Sequence, residues 1–424
     1  MMLLRRAAGA LVEMCIVGLL AGSAHGCSVL SHEALVDALW DVTLQPVLKG
    51  RYPNATQEEL KAAHAYAYGG AIIQDLGYYP HGNEQFSDLT HYVRTGSFVV
   101  SLIAEARDIN ELAFALGALS HYSSDTLVHR FATNPGEAVL YPKLQRKFGP
   151  VITYEQDPAA HLKTEFGFDV LEVAKGNFAP EAYHNFIGFA VAETLLERAF
   201  RDTYGLELSD MFPDFNKTMG SYRWAVSNMI PKATRIAWAE RAHDIEDSQP
   251  GMTQSKFIYV MSRSSYERDW GKQYDKPKPG DRVLAVLVKL LPPVGPLRAL
   301  RFKMPTSDVE KLFMRSFDHA AKEYGTELQA ERAKKLELKD VNYDLGESAA
   351  PGTYALQDQS YAYWLNQLAR ARFQTVTPQI SEELLTYYRN PDAPFATRKN
   401  TKEWNRLLLQ LQSLREQQAL RASR

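Results

Sequence analysis

His121, Asp125 and His129 stand four residues apart in the stretch 117–129, whose apolar spacing is that of a helix. Side chains four apart rise along one side of a helix, drifting by roughly 40° per step. Such a helix points two imidazoles and a carboxylate into one interior space. Burying them uncompensated is costly, and a buried cation is the natural compensation. The ladder is expected to place a metal-grade cluster in the interior, with a hydrogen-bonded polar core as the alternative reading.

Further ligand types lie on either side. His161 and Glu165 form a second i, i+4 pair. Asp75 follows the mostly apolar run 65–73, His91 opens 91–96, and Cys27 and His32 sit near the start. Imidazole and carboxylate together suit zinc. Eight side chains and a free amine exceed what one tetrahedral ion takes and suffice for two or three.

The N-terminus has Arg5 and Arg6, an apolar stretch over 7–20 interrupted by Glu13, and small residues at Ala24 and Gly26. This reads as a signal peptide over 1–26, cut before Cys27. The expected location is secreted, periplasmic or cell-envelope, with lipid attachment at Cys27 as the alternative to simple cleavage. Of the 2 cysteines, Cys15 leaves with the leader, so no disulfide framework is expected. The formal net charge of −2 gives no reason to expect an obligate nucleic-acid partner.

Helical periodicity runs through 31–40, 57–74, 97–105, 109–132, 181–204 and 221–241, with Asp108 as the cap of the fourth run. Alternation is scarce, and 256–261 is the best strand candidate. The polar stretch 246–281 ends in a Pro/Gly/Lys run and reads as a linker or long loop. Beyond it, 282–291, 305–324, 357–373, 380–388 and 402–420 are again helical. The expected class is all-α, a multi-helix domain over 27–245 followed by a smaller helical region over 282–424. His64, although eleven residues before Asp75, is expected to pack in the core, and His81 to sit in an exposed loop. His184, His243 and His319 lack ligand-spaced companions. The 283–303 stretch reads as a core helix and solvated turn, with peripheral membrane contact the sharper alternative. Leu407, Leu411 and Leu414 are expected to pack.

The ordered set of ligands over roughly 27–204 resembles the zinc-dependent phospholipase C family. That superfamily also holds the fungal single-strand-specific zinc nucleases and glycosylphosphatidylinositol-specific phospholipase D. The resemblance implies an all-helical catalytic domain with up to three zinc ions. One site would take Asp75, His91, His121 and a bridging Asp125. A second would take His129, His161 and Glu165. The third would use the amine and carbonyl of Cys27, His32 and Asp125. It also implies Asp75 as general base. The chain departs from the bacterial phospholipases and fungal nucleases in starting at Cys27 rather than Trp. It also departs in placing the next His four, not six, positions after the bridging Asp. Both departures look like the phospholipase D branch.

The expected activity is hydrolysis of a phosphodiester, most directly in a phospholipid, by zinc-activated water. Two alternatives stand beside it. One is the same chemistry on single-stranded nucleic acid. The other is a non-catalytic, zinc-stabilised binding module, for which a single closed ion would suffice.

Overall fold

The structure, a computed structural model, describes residues 29–79, 81–175, 190–224, 242, 243, 246 and 302–422. Among these residues the chain is all α, with one isolated antiparallel bridge between Asn342 and Glu347. In the N-terminal half run α1 (Val29–Leu39), α2 (Gln45–Arg51), α3 (Gln57–Ala71), α4 (Glu84–Tyr92), α5 (Thr95–Glu105) and α6 (Ile109–Val128). They are followed by α7 (Asn134–Leu140), α8 (Pro142–Phe148), α9 (Pro158–Lys175), α10 (Glu193–Tyr204), α11 (Leu208–Met211) and α12 (Phe215–Trp224). The C-terminal part adds α13 (Ser307–Arg332), α14 (Ala355–Arg370), α15 (Pro378–Tyr387) and α16 (Thr401–Ala422).

The centre of the fold is α6. Asp108 starts it as expected, its carboxylate accepting the N–H groups of Asn110 and Glu111 at 2.9 Å each. From Leu112 to Leu119 it is apolar all round, and Leu112, Ala113, Phe114, Ala115, Leu116, Ala118 and Leu119 are fully buried. A helix without a polar face has to be enclosed on every side. α3 encloses it at closest range, started by a capping box between Thr56 and Glu59. The two helices meet through glycines. A Cβ on Gly70 would lie 1.9 Å from the Phe114 carbonyl oxygen, and one on Gly117 would lie 2.0 Å from that of Ala67.

From the C-terminal half, α13 also lies on α6. The Tyr324 hydroxyl donates to the Leu116 carbonyl at 2.9 Å, and Ser123 Oγ donates to Glu327. Burial pushes the Glu327 carboxyl up to about 8, although Ser123 stabilises its charged form.

Several expected helices have different ends. The run 109–132 is α-helical only to Val128 and then widens into a π-helical turn, His129–Thr133. The run 57–74 stops at Ala71, and Asp75 lies in a 3-10 turn, Ile73–Tyr78. The run 181–204 is broken, since residues 190–192 are not helical and α10 starts at Glu193. Leu407, Leu411 and Leu414 are buried, as expected of packing residues. The signal peptide, Cys27, His184, the strand candidate 256–261, the linker 246–281 apart from Glu246, and the 282–291 helix lie outside the described residues.

Candidate metal centre

Each of the metal-grade side chains is brought to the centre by a local device. The ladder on α6 supplies His121 and Asp125, both essentially inaccessible to solvent. His129 opens the π-helical turn, where Asn134 N–H bonds to its carbonyl. The wider turn continues the chain into α7 without a break and keeps His129 beside Asp125. The 3-10 turn after α3 delivers Asp75, and α4 delivers His91. α9 carries His161 and Glu165, one turn apart.

His32 rides on α1, whose start is fixed by Asp169. That carboxylate accepts Leu30 N–H and Ser31 N–H at 3.2 Å each, and Ser31 Oγ at 2.9 Å. Negative charge at a helix N-terminus also suits the helix dipole. One carboxylate thus ties the His32 helix to the helix of His161 and Glu165.

These side chains converge into three groups: His32, His121 and Asp125; Asp75, His91 and His121; and His129, His161 and Glu165. Asp125 stands between them. Its Oδ2 lies 3.1 Å from His121 Nε2 and 3.5 Å from His91 Nε2. Its Oδ1 lies 3.3 Å from His32 Nε2 and 3.8 Å from His129 Nε2. Asp75 Oδ1 is 3.3 Å from His91 Nε2. In the other group, Glu165 Oε1 is 2.9 Å from His129 Nε2 and 3.2 Å from His161 Nε2.

The donor set fits a cation. His91 Nδ1 lies 2.7 Å from the Ser87 carbonyl, and His121 Nδ1 lies 2.9 Å from that of Ala71. A carbonyl only accepts, so in each ring Nδ1 carries the hydrogen and Nε2 turns to the centre. Those two Nε2 atoms are 3.4 Å apart. No hydrogen bond reaches either oxygen of Asp75, Oδ2 of Asp125 or Oε2 of Glu165, all buried. Unpaired buried carboxylate oxygens are expensive, and a metal ion satisfies them.

Protonation tells the same story. Burial, with His121 beside it, pushes His32 down to about 4. Burial opposes charge on His91 too, yet the Asp125 and Asp75 carboxylates hold it up to about 10. Against the same desolvation, the His161 and His129 imidazoles pull Glu165 down to about 2. Without a cation, the proton held on His91 offsets part of the carboxylate charge. A metal that replaces it releases that proton on binding.

His64, His81 and His319 are not part of the metal-grade groups. His64 is fully buried, stacked on Trp40 at 3.8 Å with Nε2 3.1 Å from Asp37 Oδ1. His81 and His319 are exposed. One participant was not anticipated from the sequence. Glu137, fully buried on α7, places Oε1 3.0 Å from His161 Nδ1 and orients that ring.

A cavity of about 530 Å³ opens beside the cluster, lined by Tyr78, Glu84, Asp88, Phe148, Tyr154 and Glu155 among others. The Tyr78 ring is 5.7 Å from that of His91, and the Tyr154 ring 5.3 Å from that of His161. Burial pushes the Asp88 carboxyl up to about 7, with His91 opposing. A larger cavity of about 810 Å³, lined by Arg51, Leu112 and Arg332 among others, includes none of the metal-grade residues.

The family model for zinc dependent phospholipase C matches residues 31–213. That segment belongs to the zinc-dependent phospholipase C family. No curated protein and no solved structure matches the chain. The matched segment contains every clustered side chain described above, from His32 to Glu165.

Glu137→Ala is expected to weaken one zinc by about 10- to 100-fold, because an orienting carboxylate beside a ligand histidine tunes both its direction and its basicity. Chelator titration of the folded variant measures this. Zinc affinities equal to those of the unmodified chain would remove the role given to Glu137.

Proposed function

We propose that the chain is a zinc metallohydrolase that cleaves a phosphodiester, with a phospholipid as substrate. The observation that carries this reading is the shared Asp125, whose two oxygens face separate groups of imidazoles while the third group adjoins through His129. Asp75, His91, His121 and Asp125 would hold one ion, His129, His161 and Glu165 a second, and His32 with Asp125 and the mature N-terminal residue a third. Zinc held there would neutralise phosphoryl oxygens and acidify water.

The chain's own residues supply the rest. Asp75, buried beside His91, would accept a proton from the attacking water. The cavity wall of Tyr78, Phe148 and Tyr154 excludes bulk water on one side and offers apolar surface to the substrate. Glu84, Asp88 and Glu155 also face this cavity, and none of its described lining residues is a lysine or arginine. A polynucleotide would bring its own row of negative charges to that mouth, which favours the lipid over the nucleic acid.

The deciding experiment is zinc analysis of the mature protein together with release of phosphorus-containing product from a phospholipid panel. Single-stranded DNA and RNA are assayed in parallel. Two to three zincs and lipid turnover are expected. Turnover confined to the nucleic acids would move the reading to the nuclease, and zinc without turnover of either to a binding module.

Cys27 enters as a proposed amine and carbonyl donor to the third ion. A version with Gly-Ser added before Cys27 replaces the amine by an amide, which lacks an available lone pair. It is expected to bind one zinc fewer; equal zinc content in the two forms would reassign Cys27. Export to the envelope or beyond, by cleavage of 1–26, is part of the same proposal. No described helix is long and apolar enough to cross a membrane.

A further inference from the structure

We propose that Tyr343, carried on a strap from the C-terminal half, is a positioning residue for the metal centre, acting through His91. The inference rests on the metal reading above and extends it to residues outside the family-matched segment. His91 is the penultimate residue of α4, so its carbonyl is among those that a helix leaves without an internal partner. Tyr343 N–H fills that role at 3.0 Å. The Tyr343 ring then turns back into the centre. Its centroid is 5.2 Å from His91, near edge-on, and 6.0 Å from His121. Tyr343 is fully buried, and its ring also meets Tyr122 at 5.6 Å. One residue therefore fixes the backbone of a metal-grade histidine and walls the imidazole of that histidine and of its neighbour.

The strap is held on three sides, by α5, by α7 with Tyr154, and by α6, which carries His121 and Asp125. In the first turn of α5, Ser97 N–H and Ser97 Oγ donate to Asp340 at 2.8 Å each. Thr95 Oγ1 donates to the Val341 carbonyl at 2.8 Å. On the far side, Asn134 Nδ2 of α7 donates to the Asp344 carbonyl at 2.8 Å, and Asp344 Oδ2 accepts Tyr154 N–H at 2.9 Å. The strap turns at Gly346, whose φ is +65°, and lies so close to α6 that a Cβ there would come within 2.0 Å of the Thr126 carbonyl oxygen. Thr126 adjoins Asp125 in the chain.

The test uses the full chain and zinc itself, with affinities read by chelator titration and stability by urea midpoint. Tyr343→Leu is expected to weaken one zinc by about 10-fold or more, the scale seen when a residue orienting a metal ligand is lost. The other ions should stay within twofold. Tyr343→Phe, which keeps the ring, should retain all affinities within twofold. Tyr388→Ala, at a buried tyrosine packed against Tyr387 and Phe395, should lower the urea midpoint and leave zinc unchanged. Should Tyr343→Leu fail to fold, Asp340→Ala releases the strap from Ser97 without touching the ring and is expected to weaken the same zinc. Affinities unchanged in the folded variants, or all ions weakened in parallel, would overturn the positioning role. Absence of zinc from the unmodified chain would overturn the metal reading itself, a separate failure.

Discussion

Asp125→Asn is expected to lower turnover by about 10³-fold or more and to release at least one zinc, the largest loss of activity anticipated for a single polar substitution here. Asp125 Oδ2 faces His91 and His121, while Oδ1 faces His32 and His129. An amide keeps the shape but loses the charge and presents a donor on one side. A donor aimed at a cation is repelled, so one group loses its ion whichever way the amide turns. His129→Ala is expected to be milder for the remaining ions, since its short contact is to Glu165 at 2.9 Å and its contact to Asp125 is 3.8 Å. Zinc content and initial rates on the same phospholipid check both variants. Near-normal turnover of Asp125→Asn with full zinc would remove the bridging role.

The sequence displays this centre because most of its ligands repeat at helical spacing. His121, Asp125 and His129 share one ladder, and His161 and Glu165 another. Both ladders run further than they were read. Glu137 is eight residues beyond His129, and Asp169 four beyond Glu165, each continuing the same four-residue step. Pro135 hides the first extension. It reads as a helix stop, whereas the π-helical turn ends just before it and Pro135 sits in the first turn of α7, where a missing N–H costs nothing. Asp169 looks like one more exposed helical acid until the start of α1 is placed against it.

Tyr343 had no comparable signal. Its contacts to His91 and Tyr122 join positions more than 200 residues apart in the chain, and no local period encodes such a meeting. The all-α class was legible from periodicity, and helix ends were not. The 3-10 turn at Ile73–Tyr78 and the π-helical turn at His129–Thr133 preserve the apolar spacing closely enough to read as plain helix, yet they are the two places where ligands had to be re-aimed. This agrees with the tendency of irregular helical turns to mark functional positions.

Gly117→Ala is expected to be the most damaging of the small apolar substitutions, destabilising the chain by about 3 kcal/mol and weakening zinc at the same time. The new methyl would lie 2.0 Å from the Ala67 carbonyl oxygen and 2.9 Å from Ala71 N, so backbone rather than a side chain has to move. The reciprocal contact of Gly70 with the Phe114 carbonyl prevents α3 from sliding away along its axis. The helices must therefore separate. Their separation also stretches the 2.9 Å bond from His121 Nδ1 to the Ala71 carbonyl, which holds the His121 Nε2 toward Asp125. Fold stability and ligand orientation consequently fail together at this crossing. Gly220→Ala in α12 is the matched comparison, since nothing lies within 4 Å of its added Cβ. There the helix preference for alanine should stabilise by up to about 1 kcal/mol, with zinc unchanged. Urea midpoints and chelator titrations of the two variants separate the effects. A Gly117→Ala protein with the unmodified midpoint and full zinc affinity would show that α3 and α6 do not meet through their glycines.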